Sequence, residues 1–245
     1  MIRTTRILCI GALIALIHGN ALAASTKLIE GSDMSGWAGN TGTWNNVGGA
    51  HLRSDDNKFL RAEAGSGVIM NGPDGRTRNL VSTREHGDCI LEVEFVVPKG
   101  SNSGVYLQGR YEIQVLDSFG VPGKRVQHSD CGGIYQRYNE AEGYGYEGHP
   151  PTENASKAPG EWQSFKIWFK APRFDEKGDK TSNAKFIKVV HNGTVVHENV
   201  EVTGPTRAAT WLNDEKPMAP IMLQGDHGPV AYRNIKITDK NFDDK

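Results

Sequence analysis

Short segments in which apolar and polar residues alternate recur along most of this sequence. In residues 88–97 (DCILEVEFVV) every second side chain from Cys89 to Phe95 is apolar. Successive side chains of a strand point to opposite faces, so this period of two predicts a strand with one buried face. Similar segments lie at 104–108, 111–116, 162–170, 185–191 and 230–238. Gly, Asn, Pro and Asp separate them, which predicts many short strands and no long helix.

Three connections stand out between these strands. Asn192-Gly193 separates two alternating segments and predicts a type I′ hairpin, because both central residues of that turn need positive φ. Residues 137–160 are rich in Gly, Pro and Tyr and are too long for an ordinary connection, so we expect a functional lid or a mobile insertion there. Residues 171–183 are charged, and we expect them to form a solvated loop.

The first residues carry the pattern of a secretory signal peptide. Arg3 and Arg6 precede an apolar run at 7–17, and Ala21-Leu22-Ala23 fits a cleavage site. The apolar run is shorter than the roughly 20 residues of a spanning helix. We therefore predict a signal peptide at 1–23, cleavage after Ala23, and a periplasmic or secreted protein that is not inserted in the membrane. Residues 24–245 are then long enough for one β-sandwich domain.

Composition narrows the class of partner. The chain has 29 glycines and 37% hydrophobic residues, which fits short strands joined by tight turns. Its formal net charge is −1, with acidic and basic residues interspersed. Such a chain lacks the uniform positive field that nucleic acid or an anionic membrane requires, so both partners are disfavoured.

Two cysteines, Cys89 and Cys131, remain after the signal peptide. An oxidising compartment permits a disulfide between them. Pairing requires Cα atoms within about 7 Å, so two separate buried thiols are an equal alternative.

Several familiar chemistries have no motif in this chain. It lacks a phosphate loop, a dinucleotide-binding glycine fingerprint, a Gly-x-Ser-x-Gly elbow and a His-Glu-x-x-His helix. Sugar-cleaving sandwiches often carry alternating carboxylates on one strand. Glu92 and Glu94 alternate in this way but have no third partner, so an exposed strand face explains them better.

Two segments carry polar residues that a sandwich core does not explain. Period-two geometry places Tyr106 with Gln108, and Glu112 with Gln114, on single faces of adjacent strands, while the intervening apolar residues face the core. Solvent-facing strands usually favour Lys, Thr and Ser, so we interpret this as a binding face. The second segment, 223–230, holds Asp226 and His227 between glycines, where Asp226 could orient the imidazole.

An ordered set of short motifs resembles the 3-keto-disaccharide hydrolase family. The motifs are Asn102-Ser103-Gly104-Val105-Tyr106, Tyr111-Glu112-Ile113-Gln114-Val115-Leu116-Asp117, Gly133-Ile134-Tyr135, Gly160-Glu161-Trp162-Gln163, His191-Asn192-Gly193, Leu223-Gln224-Gly225-Asp226-His227-Gly228 and Tyr232-Arg233-Asn234-Ile235. The resemblance runs from about residue 28 to 237. It implies an all-β, concanavalin- or laminarinase-like jelly-roll sandwich of two antiparallel sheets.

The resemblance also implies a substrate, a glycoside already oxidised to a ketone at C3 of its sugar. The ketone acidifies the C2 proton, so the glycosidic bond can break by β-elimination followed by water addition. We expect Glu112 or His227, with Asp226, to act as base or acid. The other expected roles are enolate stabilisation by Arg233 and Lys166, and substrate binding by Tyr106, Gln108, Gln114, Tyr135, Trp162 and Gln224.

Two matters stay open in the sequence. No cofactor is required, although Glu112, Asp117, Asp226 and His227 are residue types that could hold a divalent metal. A non-catalytic carbohydrate-binding module on the same sandwich, or a structural envelope protein, is the alternative to an enzyme.

Overall fold

The computed structural model describes residues 25–207, 209 and 214–243. The predicted signal peptide lies outside these residues. The described chain forms strands and one 3₁₀ turn, Gly123–Arg125. The strands are β1 (Ser25–Lys27), β2 (Asn45–Leu52), β3 (Leu60–Met70), β4 (Leu80–His86), β5 (Cys89–Val96), β6 (Asn102–Leu107), β7 (Tyr111–Leu116), β8 (Arg137–Asn139), β9 (Tyr144–Tyr146), β10 (Gln163–Lys170), β11 (Arg173–Phe174), β12 (Lys180–Ser182), β13 (Ala184–His191), β14 (Thr194–Val202), β15 (Ala219–Leu223) and β16 (Ala231–Asp239).

Two antiparallel sheets build the fold. The larger one has eight strands in the order β14-β13-β10-β5-β16-β3-β2, with β1 also paired to β16. The smaller one has four strands in the order β4-β15-β6-β7. The crossovers between sequence neighbours give a jelly-roll sandwich, so the predicted all-β class is confirmed. Two short ribbons, β8-β9 and β11-β12, lie apart from both sheets.

The core lies between the two sheets and follows the period of two. On β5 the side chains from Cys89 to Phe95 alternate between buried and half-buried positions, as predicted. Phe95 packs against Phe165 of β10 with ring centroids 4.7 Å apart. Fully burying such a side chain contributes about 1.5–3 kcal/mol. Val105 and Ile113 bury the inner face of the smaller sheet against this layer, which leaves its outer face for polar residues.

The connections match the sequence in part. Asn192 and Gly193 have φ of 50° and 87° between β13 and β14, so the predicted hairpin is confirmed. Residues 137–160 contain the ribbon β8-β9, which the Ile134–His149 bridge ties to the core. Residues 171–183 contain the two short strands β11 and β12. No helix in the described ranges is long and apolar enough to cross a membrane.

Cys89 and Cys131 are separate buried thiols in this structure. Cys89 Sγ lies 3.3 Å from His86 Nδ1, and Cys131 Sγ lies 4.0 Å from His191 Nε2. Burial raises the pKa of the Cys131 thiol to about 12, and burial also raises the pKa of Cys89. Both thiols are therefore protonated at neutral pH and pack as small apolar groups.

Candidate active site

A pocket of about 320 Å³ opens on the outer face of the smaller sheet. Its walls combine polar residues of β6 and β7, the turn after β15, and two neighbouring loops. The lining residues are Asn102, Tyr106, Glu112, Gln114, Tyr135, Arg207, Gln224 and His227. Six of the eleven predicted site residues are in this list, so the structure brings the two polar segments together.

The pairing of β6 with β7 puts the central residues of the pocket side by side. Tyr106 lies directly opposite Glu112 in the antiparallel register, and Gly104 lies opposite Gln114. The side chain missing at Gly104 leaves the space that the Glu112 carboxyl occupies, because a Cβ there would approach Glu112 Oε1 to 2.4 Å. Any larger residue at Gly104 would displace the carboxyl.

Beyond β7, the chain at 132–135 extends this edge of the sheet. Its Gly133 carbonyl accepts the Gln114 N–H at 2.9 Å, and Tyr135 N–H donates to the Glu112 carbonyl at 3.1 Å. Tyr135 is thereby fixed beside the pocket, with its ring edge-on to His128 at 5.5 Å. Gln114 Oε1 accepts the Val115 N–H at 3.1 Å, which leaves its amide nitrogen to donate to a ligand.

Glu112 is a carboxyl held in a dry environment. It is 3% exposed, and its side chain forms no ion pair within the part of the chain described. Burial raises its pKa to about 8, the Tyr106 hydroxyl hydrogen bond opposes this rise, and the charge of Asp226 adds to it. A raised pKa in a pocket is typical of a group that transfers protons. At neutral pH this carboxyl is mostly protonated.

The turn after β15 is held rigidly against the sheet. The Gln224 N–H donates to the Gly104 carbonyl at 3.0 Å. Asn71 Nδ2 donates to the carbonyls of Gly225 and Gly228 at 3.0 and 2.8 Å. Because the buried Asn71 amide spans the turn, the residues between these glycines have a fixed position at the pocket mouth.

His227 and Asp226 form a hydrogen-bonded pair on this turn. Asp226 Oδ1 lies 2.5 Å from His227 Nδ1, and both side chains are about half exposed. A carboxylate there holds the proton on Nδ1, so the lone pair of Nε2 is available as a proton acceptor. The pocket thus combines a buried carboxylic acid with an accessible imidazole.

Three residues predicted for the site lie on the other sheet. Lys166 and Trp162 belong to the β10 region and Arg233 to β16, both in the larger sheet. Lys166 Nζ pairs with Glu92 at 3.0 Å, and Arg233 Nε donates to Glu94 at 2.6 Å with its guanidinium 4.0 Å above the Trp162 ring. The prediction that these three share the pocket is wrong, because their strands present them on the opposite side of the sandwich.

Gln108 also lies outside the pocket. The alternation ends at Leu107, and Gln108 takes a φ of 53° in the turn that follows. Its side chain is therefore rotated away from the face that carries Tyr106. The fully buried amide nitrogen donates to the carbonyls of His86 and Pro217 at 3.1 and 3.0 Å. Gln108 therefore has a structural role, because its side chain links the turn after β6 to the backbone at His86 and Pro217.

Two pocket residues were missed by the sequence reasoning. Asn102 precedes Gly104 and Tyr106 by the same period of two, so extending the alternation by one residue would have found it. Arg207 lies in the connection between β14 and β15, where no periodicity applies, and no signal in the sequence marks it.

The residues named as possible metal ligands do not converge. The described chain contains no group of three His, Cys, Asp or Glu side chains placed to hold a metal ion. Asp117 accepts the Gly100 N–H at 2.9 Å in a turn after β7 rather than facing the pocket.

The fold and pocket define a jelly-roll protein with a buried carboxyl and a histidine in a polar pocket on one sheet face. Residues 24–238 match the family described as 3-keto-alpha-glucoside-1,2-lyase-like domain, and the chain belongs to this family. The predicted family is confirmed. No curated protein matches the sequence.

Solved structures from Parabacteroides distasonis ATCC 8503 are similar to this chain and carry provisional glycosyl hydrolase names. One is 26% identical with a TM-score of 0.61, over 88% of this chain and 84% of its own. A second is 20% identical with a TM-score of 0.54, over 89% and 100%. The second likeness supports the fold alone.

Proposed function

We propose that this protein is an exported enzyme that cleaves 3-keto-glycosides by β-elimination and hydration. The family and the 26% identical relative support action on carbohydrates. The observation that carries the more specific proposal is Glu112, a buried carboxyl with a pKa of about 8 in a pocket that also holds an imidazole. Elimination from a keto sugar needs this combination of an acid and a base.

The reaction has two balanced stages. A base removes the proton on C2, and the electron pair forms the C2–C3 double bond of an enolate with its negative charge on the C3 oxygen. When the enolate collapses, the C1–O bond breaks and the leaving oxygen takes a proton from an acid. Water then adds to C1 of the resulting enone and a proton returns to C2. The net products are the alcohol and the free 3-keto sugar.

His227 fits the role of the base. Asp226 holds the Nδ1 proton at 2.5 Å, and the free lone pair is on Nε2. The partial exposure of the imidazole allows the abstracted proton to be passed to solvent.

Glu112 fits the role of the acid. Its raised pKa keeps the carboxyl protonated at neutral pH, and the carboxyl is hydrogen-bonded to the Tyr106 hydroxyl. Because Glu112 has no ion pair among the described residues, the carboxyl keeps its proton until an acceptor such as the leaving oxygen arrives.

The other lining residues fit the recognition of a sugar. Asn102, Gln114 and Gln224 supply amide donors and acceptors, and Tyr135 offers an aromatic edge and face. A volume of 320 Å³ is at the lower end of the roughly 300–1,000 Å³ range of ligand pockets, which suits one or two sugar rings.

The test is incubation with 3-keto-trehalose, 3-keto-sucrose and an aryl 3-keto glucoside in D₂O, followed by NMR with and without chelator. We expect cleavage together with deuterium at C2, and no cleavage of the parent glycosides that lack the ketone. Binding without turnover would identify a carbohydrate-binding module instead. No binding at all would leave the structural alternative.

A further inference from the structure

With Lys166 and Arg233 outside the pocket, the proposed reaction has no assigned group at the C3 oxygen. Among the described residues that line the pocket, Arg207 is the one Lys or Arg. A guanidinium is permanently charged and donates several hydrogen bonds in a plane, which suits an oxygen that gains negative charge. An oxyanion requires such a donor where its charge develops.

Backbone hydrogen bonds hold the segment that carries Arg207 against the edge of β7. Thr206 Oγ1 accepts the Glu112 N–H at 3.2 Å and donates to the Arg110 carbonyl at 3.0 Å. The Arg207 N–H donates to the Gln136 carbonyl at 2.8 Å. These bonds attach the segment to the edge of β7 and to the chain that leads into β8, so Arg207 is anchored on both sides.

The Arg207 side chain is supported by an aromatic ring and by no carboxylate. Its guanidinium lies 4.0 Å from the centroid of the Tyr138 ring, on β8. Within the described ranges it forms no ion pair, whereas Arg233, which also stacks at 4.0 Å on an aromatic ring, is bonded to Glu94. Arg207 therefore keeps its charge for a ligand, while Arg233 already has its counter-ion.

We infer that Arg207 binds the C3 oxygen of the keto sugar and stabilises the enolate formed when the C2 proton is removed. The inference rests on the proposed function and deepens it. It also gives the segment 137–160 a part in the site, since the Arg207 guanidinium packs on the Tyr138 ring.

The test compares Arg207→Ala with the matched control Arg233→Ala. Two rates are measured on one 3-keto glucoside, deuterium exchange at C2 and release of the alcohol. We expect Arg207→Ala to lower both rates about 10²- to 10³-fold through kcat, with KM changed less than about threefold, as for the loss of an oxyanion donor. Arg207→Lys should retain more activity, and Arg233→Ala should stay within about twofold of wild type.

Thermal melting of each variant checks folding; Arg207 is exposed, so its replacement should leave the melting temperature nearly unchanged. Unchanged kcat in Arg207→Ala, or a rise in KM alone, would overturn the inference while the proposed function stands. Slower cleavage with normal C2 exchange would also overturn it, because the residue would then act on the leaving group. Failure of the wild-type protein to exchange or cleave would overturn both.

Discussion

Each of the two sheets carries a glutamate with amides and an arginine stacked on an aromatic ring nearby, yet the environments of the two glutamates are opposite. Glu112 of the smaller sheet is 3% exposed and its pKa is raised to about 8 by burial. The Glu94 side chain of the larger sheet is 31% exposed. Burial works to raise its pKa, but hydrogen bonds from Asn234 and Arg233 outweigh this effect and lower it.

This difference indicates which of the two polar clusters has groups available to react with a ligand. Around Glu94 the carboxylate already bonds to Arg233 and Asn234, which is typical of a stable strand surface. Around Glu112 the acid has no cation, and the arginine of the same pocket has no carboxylate within the described chain. Keeping an acid and a cation unpaired lowers the stability of the folded protein, but it leaves both groups able to interact with a ligand.

The largest expected effect on kcat comes from replacing the Glu112 carboxyl with an amide, and the same replacement at Glu94 is its control. Glu112→Gln should lower kcat about 10³-fold, because the leaving oxygen loses its acid. Glu94→Gln should leave kcat within about twofold. Steady-state cleavage of a 3-keto glucoside measures both. Equal activity of the two variants would erase the distinction between the sheets.

His227→Ala should lower kcat about 10²-fold by removing the proposed base, and Asp226→Asn should lower it about tenfold by disturbing the Nδ1 proton. The readout is C2 deuterium exchange, which follows proton abstraction alone. Normal exchange in His227→Ala would transfer the role of base to another group.

Gln108 and Gln114 were both predicted to bind substrate, but their replacement should affect stability and kinetics differently. Gln108→Ala removes the donor to the carbonyls of His86 and Pro217 and should lower the free energy of unfolding by about 2 kcal/mol, with kcat unchanged. Gln114→Ala should cost less stability and raise KM severalfold. Denaturant unfolding and steady-state kinetics test this, and the reverse pattern would place Gln108 in the site.

The smallest expected effect is on stability against pH. Burial raises the pKa of Glu112 from its ordinary value of 4.5 to about 8, so between these pH values the folded chain binds more protons than the unfolded chain. Stability therefore falls as pH rises from about 4.5 through 8. Glu112→Gln should remove this fall, so at pH 8 it should raise the free energy of unfolding. A variant less stable than wild type at pH 8 would contradict the burial cost.

Much of the fold follows from alternation, but the site follows only in part. Period two correctly puts Val105 and Ile113 in the core and Tyr106 and Glu112 outside it. It cannot tell which sheet an outward residue belongs to, so Arg233 was assigned to the wrong face. Assigning a residue to a sheet requires the order in which distant strands pair, and no short segment of the sequence encodes this order.

Local backbone geometry accounts for the other differences. Gln108 follows the alternation in the sequence, but the positive φ of the turn reverses its side chain. Arg207 lies in an irregular connection whose path is set by single hydrogen bonds such as Glu112 N–H to Thr206. Neither feature leaves a periodic trace, and such connections are where binding residues concentrate.

The proposed reaction requires the protonated Glu112 carboxyl in the pocket of the smaller sheet. The most direct measurement is the pH dependence of kcat for a 3-keto glucoside, in wild type and in Tyr106→Phe. Wild-type kcat should fall as pH rises through about 8, where Glu112 loses its proton. Tyr106→Phe removes a hydrogen bond that lowers this pKa, so its fall should move to higher pH. A rate that rises through pH 8, or a profile that Tyr106→Phe leaves unmoved, would contradict the account.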